Sequence, residues 1–339
     1  MADSIGIAVV GAGRAGMIHA TNFRRNVPGA RLVAMIDPVR EAREAAAKAL
    51  EIDKVYPGHR EACGDKDIDA IVVVAPTAAH RGIVCDAAAA GKHVLCEKPM
   101  AMDEAECLEM IDATGKAGVR LQIGFMRRFD AGFMKAKDAV DSGAIGEVVM
   151  VRSNTRGPSV PRPWMYDLSK SNGPLAEVNS HDIDTLRWFT GSEFSTVYAV
   201  GGNFRSPDAV AEWPDFYDNV IVSATFANGM QGMIDGAQGV GYAYDARCEV
   251  LGAKGCIFIG RLQHESFVVC TADSNEGAYP LVGSWRQLFE PAYLAEDKGF
   301  ISCILSGEEP QANGKDGLEA VRVVNAGNKS IVEKRIVEL

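Results

Sequence analysis

Apolar residues in the first third of the chain come in short unbroken runs separated by stretches with helical spacing. Ile5–Val10 (IGIAVV), closed by glycine, predicts a buried strand. Gly13–Arg25 follows as a helix, and Arg31–Ile36 as a second strand ending at Asp37-Pro38. Pro38–Leu50, rich in Ala, Glu, Lys and Arg, is helical by propensity. Ile68–Ala75 (IDAIVVVA) is β-branched and continuous, as in a strand covered on both faces. Thr77 is placed to cap a helix over His80–Ala90, which Gly91 ends. His93–Cys96, Asp103–Lys116 and Val119–Gly124 complete the series as strand, helix and strand. Repeated β-α-β in this order predicts an α/β domain over 1–124 with a doubly wound parallel sheet.

The rhythm changes after Gly124. A helix over Ala131–Ser142 precedes a strand over Glu147–Thr155. The Pro/Gly/Ser-rich segment Arg156–Pro174 has the composition of a loop. A helix is expected over Glu177–Thr190, then strands at Val197–Phe204, Tyr217–Phe226, Met230–Ala237, Arg247–Leu251, Cys256–Ile259 and Ser266–Thr271. Ala227-Asn228-Gly229 carries the Asn-Gly signal of a hairpin. Helices at Trp285–Leu305 and Lys315–Lys329 close the chain. Residues 125–339 thus predict an α+β domain with a large, mostly antiparallel open sheet.

Composition narrows the function. Of 339 residues, 47 % are hydrophobic and 24 % charged, values of a folded protein rather than a disordered one. The net charge of −10 argues against a nucleic-acid partner or an anionic membrane, both of which need a basic face. No apolar run approaches the ~18 residues that span a bilayer, and the first residues show no signal-peptide pattern. A cytoplasmic enzyme is the expectation. The eight cysteines show neither CxxC pairs nor a His at ligand spacing, so reduced thiols are expected and no metal site.

Gly11-Ala12-Gly13-Arg14-Ala15-Gly16 follows the first strand and opens the first helix. In that context GxGxxG is a Rossmann dinucleotide signature. Gly11 allows the tight turn, Gly13 lets backbone reach the pyrophosphate, and Gly16 lets helix pack on strand. The free N–H groups of the helix N-terminus face the phosphates. The alternative is a glycine-rich turn without ligand. Asp37, about 20 residues further on at the end of the second strand, is placed to accept from the adenosine ribose hydroxyls and to repel a 2′-phosphate. NAD is therefore expected over NADP, although Arg40 and Arg43 stand close enough to pair with a phosphate. Asp37 also suits a helix cap before Pro38.

Further segments extend this pattern over nearly the whole chain. They are Ala75-Pro76-Thr77 with His80, Glu97-Lys98-Pro99, Gly124–Asp130 (GFMRRFD), His181-Asp182-Ile183-Asp184 with Arg187-Trp188, and Tyr244–Val250 (YDARCEV) with Gly252 and Gly255. Together they resemble the glucose–fructose oxidoreductase / inositol dehydrogenase / rhizopine-catabolism (Gfo/Idh/MocA) family, most of all its inositol 2-dehydrogenase and sugar-dehydrogenase branch. The resemblance implies a two-domain subunit with the active site between the nicotinamide and the second domain's open sheet. It also implies a homo-oligomer, a dimer or tetramer packed through those sheets, and a cis Lys98–Pro99 bond. Pro76, Thr77, His80, Glu97, Lys98 and Arg127 join the glycine motif as cofactor-binding candidates.

Oxidation of a secondary alcohol needs a hydride acceptor, a base for the hydroxyl proton and positive charge beside the developing alkoxide. Lys98, at the carboxyl end of a parallel strand, suits the electrostatic half, and desolvation there would let it relay protons. Glu97 is placed to orient it. His181 is the expected proton acceptor, with Glu177 four residues earlier on the same helical face to polarise it. The family has Asp where this chain has Glu177, and Asp184 is an alternative partner. Lys98, His181 and Glu177 are also candidate substrate contacts, direct contact being the alternative to the dyad for Glu177; Asn154, Trp164 and Tyr244 are further candidates, with packing as the alternative for each of these three. The reaction expected is NAD-dependent oxidation of a ring hydroxyl of a cyclitol or pyranose sugar. Glycoside 3-oxidation, NAD-dependent glycoside hydrolysis and a non-catalytic NAD-binding regulator are the competing readings.

Overall fold

The apolar runs of the first third become strands buried along most of their length. The computed structural model describes residues 4–264, 269–270 and 277–339. In chain order its first elements are β1 (Ile5–Val10), α1 (Arg14–Arg25), β2 (Ala30–Ile36), α2 (Arg40–Leu50), β3 (Lys54–Tyr56), α3 (His59–Cys63), β4 (Ala70–Val73), α4 (His80–Ala89), β5 (His93–Glu97), α5 (Glu104–Ala117) and β6 (Leu121–Gly124). Then come α6 (Ala131–Asp141), β7 (Val148–Gly157), α7 (Leu168–Ser171), α8 (Gly173–Glu177), α9 (Ser180–Thr190), β8 (Phe194–Gly202), β9 (Asn219–Phe226), β10 (Gln231–Gln238), β11 (Asp245–Gly252) and β12 (Cys256–Ile259). The short β13 (Val269–Cys270) and β14 (Gly277–Ala278), then α10 (Trp285–Leu288), α11 (Glu290–Ser306), α12 (Gly314–Glu333) and β15 (Val337–Glu338) end the series.

The chain divides into two units. One comprises the residues up to Phe129 together with Pro291–Val321; the other comprises Asp130–Glu290 and Arg322–Leu339. This differs from a single cut after Gly124, because α11 returns to the first unit. Its Phe300, Ile301 and Cys303 pack in one apolar cluster with Ile7 and Val9 of β1, Phe23 of α1 and Leu95 of β5.

The first unit holds a six-stranded sheet in the order β3-β2-β1-β4-β5-β6, with every pairing parallel. β1 and β4 are buried at every residue, as expected where helices cover both faces. The order reverses between β1 and β4, and the carboxyl ends of the strands beside that switch point form the usual ligand edge of such sheets. β3 and α3 escape a pattern-based reading because three half-buried residues carry no periodicity.

The second unit holds a seven-stranded sheet, β12-β11-β7-β10-β9-β8-β15. β10 pairs β7 in parallel and the remaining pairings are antiparallel. β9 alternates buried and exposed positions, the mark of a sheet covered on one face only. The Asn228-Gly229 signal holds: β9 and β10 form a hairpin, with Gly229 at φ +85°. Of the strand expected over Ser266–Thr271, residues 266–268 and 271 lie outside the described residues, and Val269–Cys270 pairs with Gly277–Ala278.

Three local expectations need correction. The helix predicted over Glu177–Thr190 is two helices, because α8 stops at Glu177 and α9 restarts at Ser180. Val178 and Asn179 both donate their backbone N–H to the Pro174 carbonyl, which closes α8, while the Asn179 amide donates to Asp182 and starts α9. Thr77 caps no helix: it opens a short 3-10 turn, Thr77–Ala79, and no side chain caps α4. The loop expected from Arg156 begins later, since β7 runs through Gly157 and places Arg156 in the sheet.

Candidate active site

The glycine motif forms the turn from β1 into α1. Gly11 has φ +104°, and a Cβ there would meet the Val74 carbonyl oxygen at 2.5 Å. A Cβ on Gly16 would lie 1.9 Å from the Gly11 carbonyl oxygen. Both positions therefore exclude side chains by contact with the protein itself. Gly13 does not: among the described residues a Cβ there meets nothing within 4 Å. Gly13 and Arg14 are exposed, while Ala12 and Ala15 are half-buried. The open space at Gly13, beside the uncompensated N–H groups of the first turn of α1, is the cradle a pyrophosphate needs.

Asp37 lies at the end of β2, half-buried. One carboxylate oxygen accepts from the Ala12 N–H at 2.9 Å, the other from the Val39 N–H at 2.9 Å. Asp37 is thus bound to the glycine turn itself and forms an Asx turn ahead of α2, which begins at Arg40 rather than Pro38. Arg43 donates to the Asp37 and Pro38 carbonyls, and Arg40 pairs with Glu44. The residues present fit NAD.

The loops after β4 and β5 leave the same edge of the parallel sheet. Pro76 is exposed and Thr77 buried. The His80 ring bridges the two loops, with Nδ1 2.9 Å from the Pro99 carbonyl and Nε2 2.8 Å from that of Ala75. Burial lowers its pKa against the pull of those carbonyls. Glu97 ends β5, and Lys98 follows, half-buried, with the Lys98–Pro99 bond cis. The Lys98 N–H donates to Glu97 Oε2 at 3.1 Å. Arg127 lies in a 3-10 turn, Met126–Phe129, buried within the first unit rather than in the second.

In the second unit, α9 lies on the covered face of the sheet. Asp182 accepts from Ser153 of β7 and from Asn179 at 2.8 Å, which anchors the start of the helix. Asn179 itself sits against Gly236 of β10, where a Cβ would fall 2.0 Å from its amide oxygen. His181, next to Asp182, is buried, and its carbonyl accepts from the Thr185 hydroxyl at 2.7 Å. The helix breaks between Glu177 and His181, so the expected pair ends one helix and opens the next. Asp184, on α9 with His181, has its carboxylate 3.9 Å from Arg187.

The substrate candidates scatter. Asn154 follows Ser153 on β7 and so points to the opposite face of the sheet from α9; its amide donates to the Asp245 carbonyl at 3.2 Å. Tyr244 is buried edge-on against Phe289, with ring centres 6.4 Å apart. Trp164, in the turn Pro163–Met165, is 45 % exposed.

Two groups of residues escaped the sequence reading. On the open sheet face, Arg156 pairs with Asp235 of the neighbouring strand, while Arg247 and the Tyr242 hydroxyl bind Asp245 at 2.7 and 3.0 Å. The Asp245/Arg247 spacing of two residues was a legible sign of one strand face. In the first unit, His19 sits between Asp297 and Glu97. Its place three residues past Gly16 on α1 was the only hint, and Asp297 is 278 residues away.

Comparison with known proteins agrees with this geometry. Residues 5–125 match the family described as "Oxidoreductase family, NAD-binding Rossmann fold", and residues 133–258 match the GFO/IDH/MocA C-terminal domain. The chain is 37 % identical over 334 residues to myo-inositol 2-dehydrogenase of Thermotoga maritima, covering 98 % of both chains. It is 31 % identical over 339 residues to scyllo-inositol 2-dehydrogenase (NAD(+)) of Bacillus subtilis, covering 100 % of this chain and 97 % of that one. The crystal structure of scyllo-inositol dehydrogenase from Lactobacillus casei with bound NAD(H) and scyllo-inositol superposes with a TM-score of 0.90 at 28 % identity over 99 % of both chains. No helix among the described residues is long and apolar enough to cross a membrane. A glycine turn, a strand-end aspartate bound to it and two family matches along one chain make this protein an NAD-dependent oxidoreductase of the Gfo/Idh/MocA family.

Proposed function

We propose that the enzyme oxidises a ring secondary alcohol of a cyclitol, such as myo- or scyllo-inositol, to the ketone, with Lys98 and His181 handling the proton. The observation that carries the proposal is the placement of Lys98. It follows β5 at the carboxyl edge of the sheet that also bears the glycine turn and Asp37. An ammonium group there serves alkoxide stabilisation beside the cofactor. The names of the relatives, inositol 2-dehydrogenases, support the substrate class.

When bound, NAD supplies the hydride acceptor. Lys98 provides positive charge at the substrate oxygen, and its loop is fixed by Glu97 on one side and His80 on the other. His181 takes the hydroxyl proton; anchoring of α9 through Asp182 and Asn179 keeps its imidazole in place. Glu177, at the end of α8, belongs to the substrate contacts rather than to a helical dyad with His181. A homo-oligomer built from copies of the second unit's sheet is part of the same reading, supported by Val200, Ile221 and Phe258 exposed on its open face.

The test is a screen of NAD and NADP against myo-inositol, scyllo-inositol, glucose and a methyl glucoside, read by NADH absorbance. Stoichiometric NADH from a cyclitol is the expected result. Release of sugar from the glucoside without NADH, or NAD binding with no turnover of any of the four, would overturn it.

A further inference from the structure

Beneath the Lys98 loop lies a buried cluster of which the chemistry above uses only Glu97. His19 of α1 is fully buried, with Nδ1 2.7 Å from Asp297 Oδ1 and Nε2 3.1 Å from Glu97 Oε1. Asp297 Oδ2 accepts from the Asn22 amide at 2.8 Å. The second oxygen of Glu97 accepts the Lys98 N–H. A Cβ on Gly124 would lie 2.9 Å from the Glu97 carboxyl group, so backbone walls that group in. Tyr293 stacks edge-on against the His19 ring at 5.5 Å. Glu296 is buried beside the cluster, and neither carboxyl oxygen has a hydrogen-bond partner among the described residues.

His19, Glu97 and Glu296 offer ligand atoms within 4.8 Å of one another. A cation is nevertheless disfavoured. Both ring nitrogens of His19 face carboxylate oxygens at hydrogen-bonding distance, and a ring that donates at both nitrogens has no lone pair for a metal. We infer instead that His19 is a positioning residue for Lys98: held by Asp297, it fixes the Glu97 carboxylate, which in turn fixes the backbone that carries Lys98. Titration behaviour fits. Burial alone would lower the His19 pKa, but Asp297 and Glu97 reverse this and hold it well above 6.5. Burial, then the Glu97 charge, raises the Glu296 pKa well above its ordinary value. The chain of contacts is a lever from helix α11 to a strand end. It converts the position of a late helix into the aim of one ammonium group.

The inference rests on the role proposed above for Lys98, and the test separates the two. His19→Gln keeps a donor where Nε2 stands, toward Glu97; His19→Asn keeps one where Nδ1 stands, toward Asp297. Both variants, with His19→Ala, are compared with the parent by single-turnover NADH formation from NAD and myo-inositol, alone and in a Lys98→Met background. NAD affinity and thermal midpoint are measured alongside. His19→Asn and His19→Ala should lower the rate on the order of 10- to 100-fold, as expected when a reacting group is misaimed, with NAD affinity unchanged. His19→Gln should recover most of that loss even if its thermal midpoint falls as far as that of His19→Asn. In Lys98→Met none of the three should lower the rate further. Equal losses for Gln and Asn, or a full His19 effect in the Lys98→Met background, would overturn the inference while leaving Lys98 in place. A Lys98→Met enzyme with parental turnover would remove Lys98 from the mechanism and the inference with it.

Discussion

In the first unit, the groups proposed to meet the cofactor are backbone atoms of the glycine turn and residues that directly follow strand ends. In the second, the proposed base is a side chain on a helix whose position depends on a break in that helix, an amide packed on a glycine and a carboxylate bound to a strand. The first arrangement is local for the cradle itself: Gly11, Gly13 and Gly16 have their places set by a strand and the few residues after it. The second is assembled from α8, α9, β7 and β10, which meet only in the folded unit. The difference teaches that a dinucleotide cradle can be read from spacing, whereas the orientation of a helical acid–base group cannot.

The sharpest break of this comparison is at the chemistry. His181→Ala should lower kcat by ~100- to 10,000-fold, the range of a lost general base, with little change in thermal midpoint. A kcat within a few-fold of the parent would leave the second unit without its proposed base. Asp37→Ala should reduce preference for NAD over NADP by roughly 10- to 100-fold, the scale of hydrogen bonds to a charged group, measured as the ratio of kcat/KM values. The glycines sharpen the contrast further. Gly13→Ala should weaken NAD affinity by calorimetry and leave the apo protein's stability unchanged, because its Cβ meets only open space. Gly236→Ala should do the reverse: pushing Asn179 off β10 should destabilise the protein by about 1–3 kcal/mol, the usual range for overpacking, with NAD affinity intact.

The smallest effect is on pH. His19 is held above its ordinary 6.5, so the folded chain binds that proton more tightly than the unfolded chain. The stability this gives is complete below pH 6.5 and is lost as pH rises through the higher folded value. Glu296 and Asp297, both raised by burial, act in the same direction from lower pH. Urea unfolding of the parent should therefore show stability falling above pH 6.5, with His19 contributing at most about 1.4 kcal/mol per pH unit. His19→Gln should flatten that slope; an identical slope would mean that His19 is not the group responsible.

The sequence by itself determined the parallel sheet, the hairpin at Asn228-Gly229, the dinucleotide turn and the identity of the residue after β5. Each is encoded within a run of residues by periodicity, by a glycine that tolerates no Cβ or by a strand end. Tertiary structure alone decided that α11 belongs with the first unit, that Glu177 and His181 lie on separate helices, that Asn154 and Asp182 serve opposite faces of one sheet, and that His19 meets Asp297. These outcomes depend on contacts between residues far apart in the chain, formed when burial leaves a polar group no partner but a distant one, and no local pattern of residues records them.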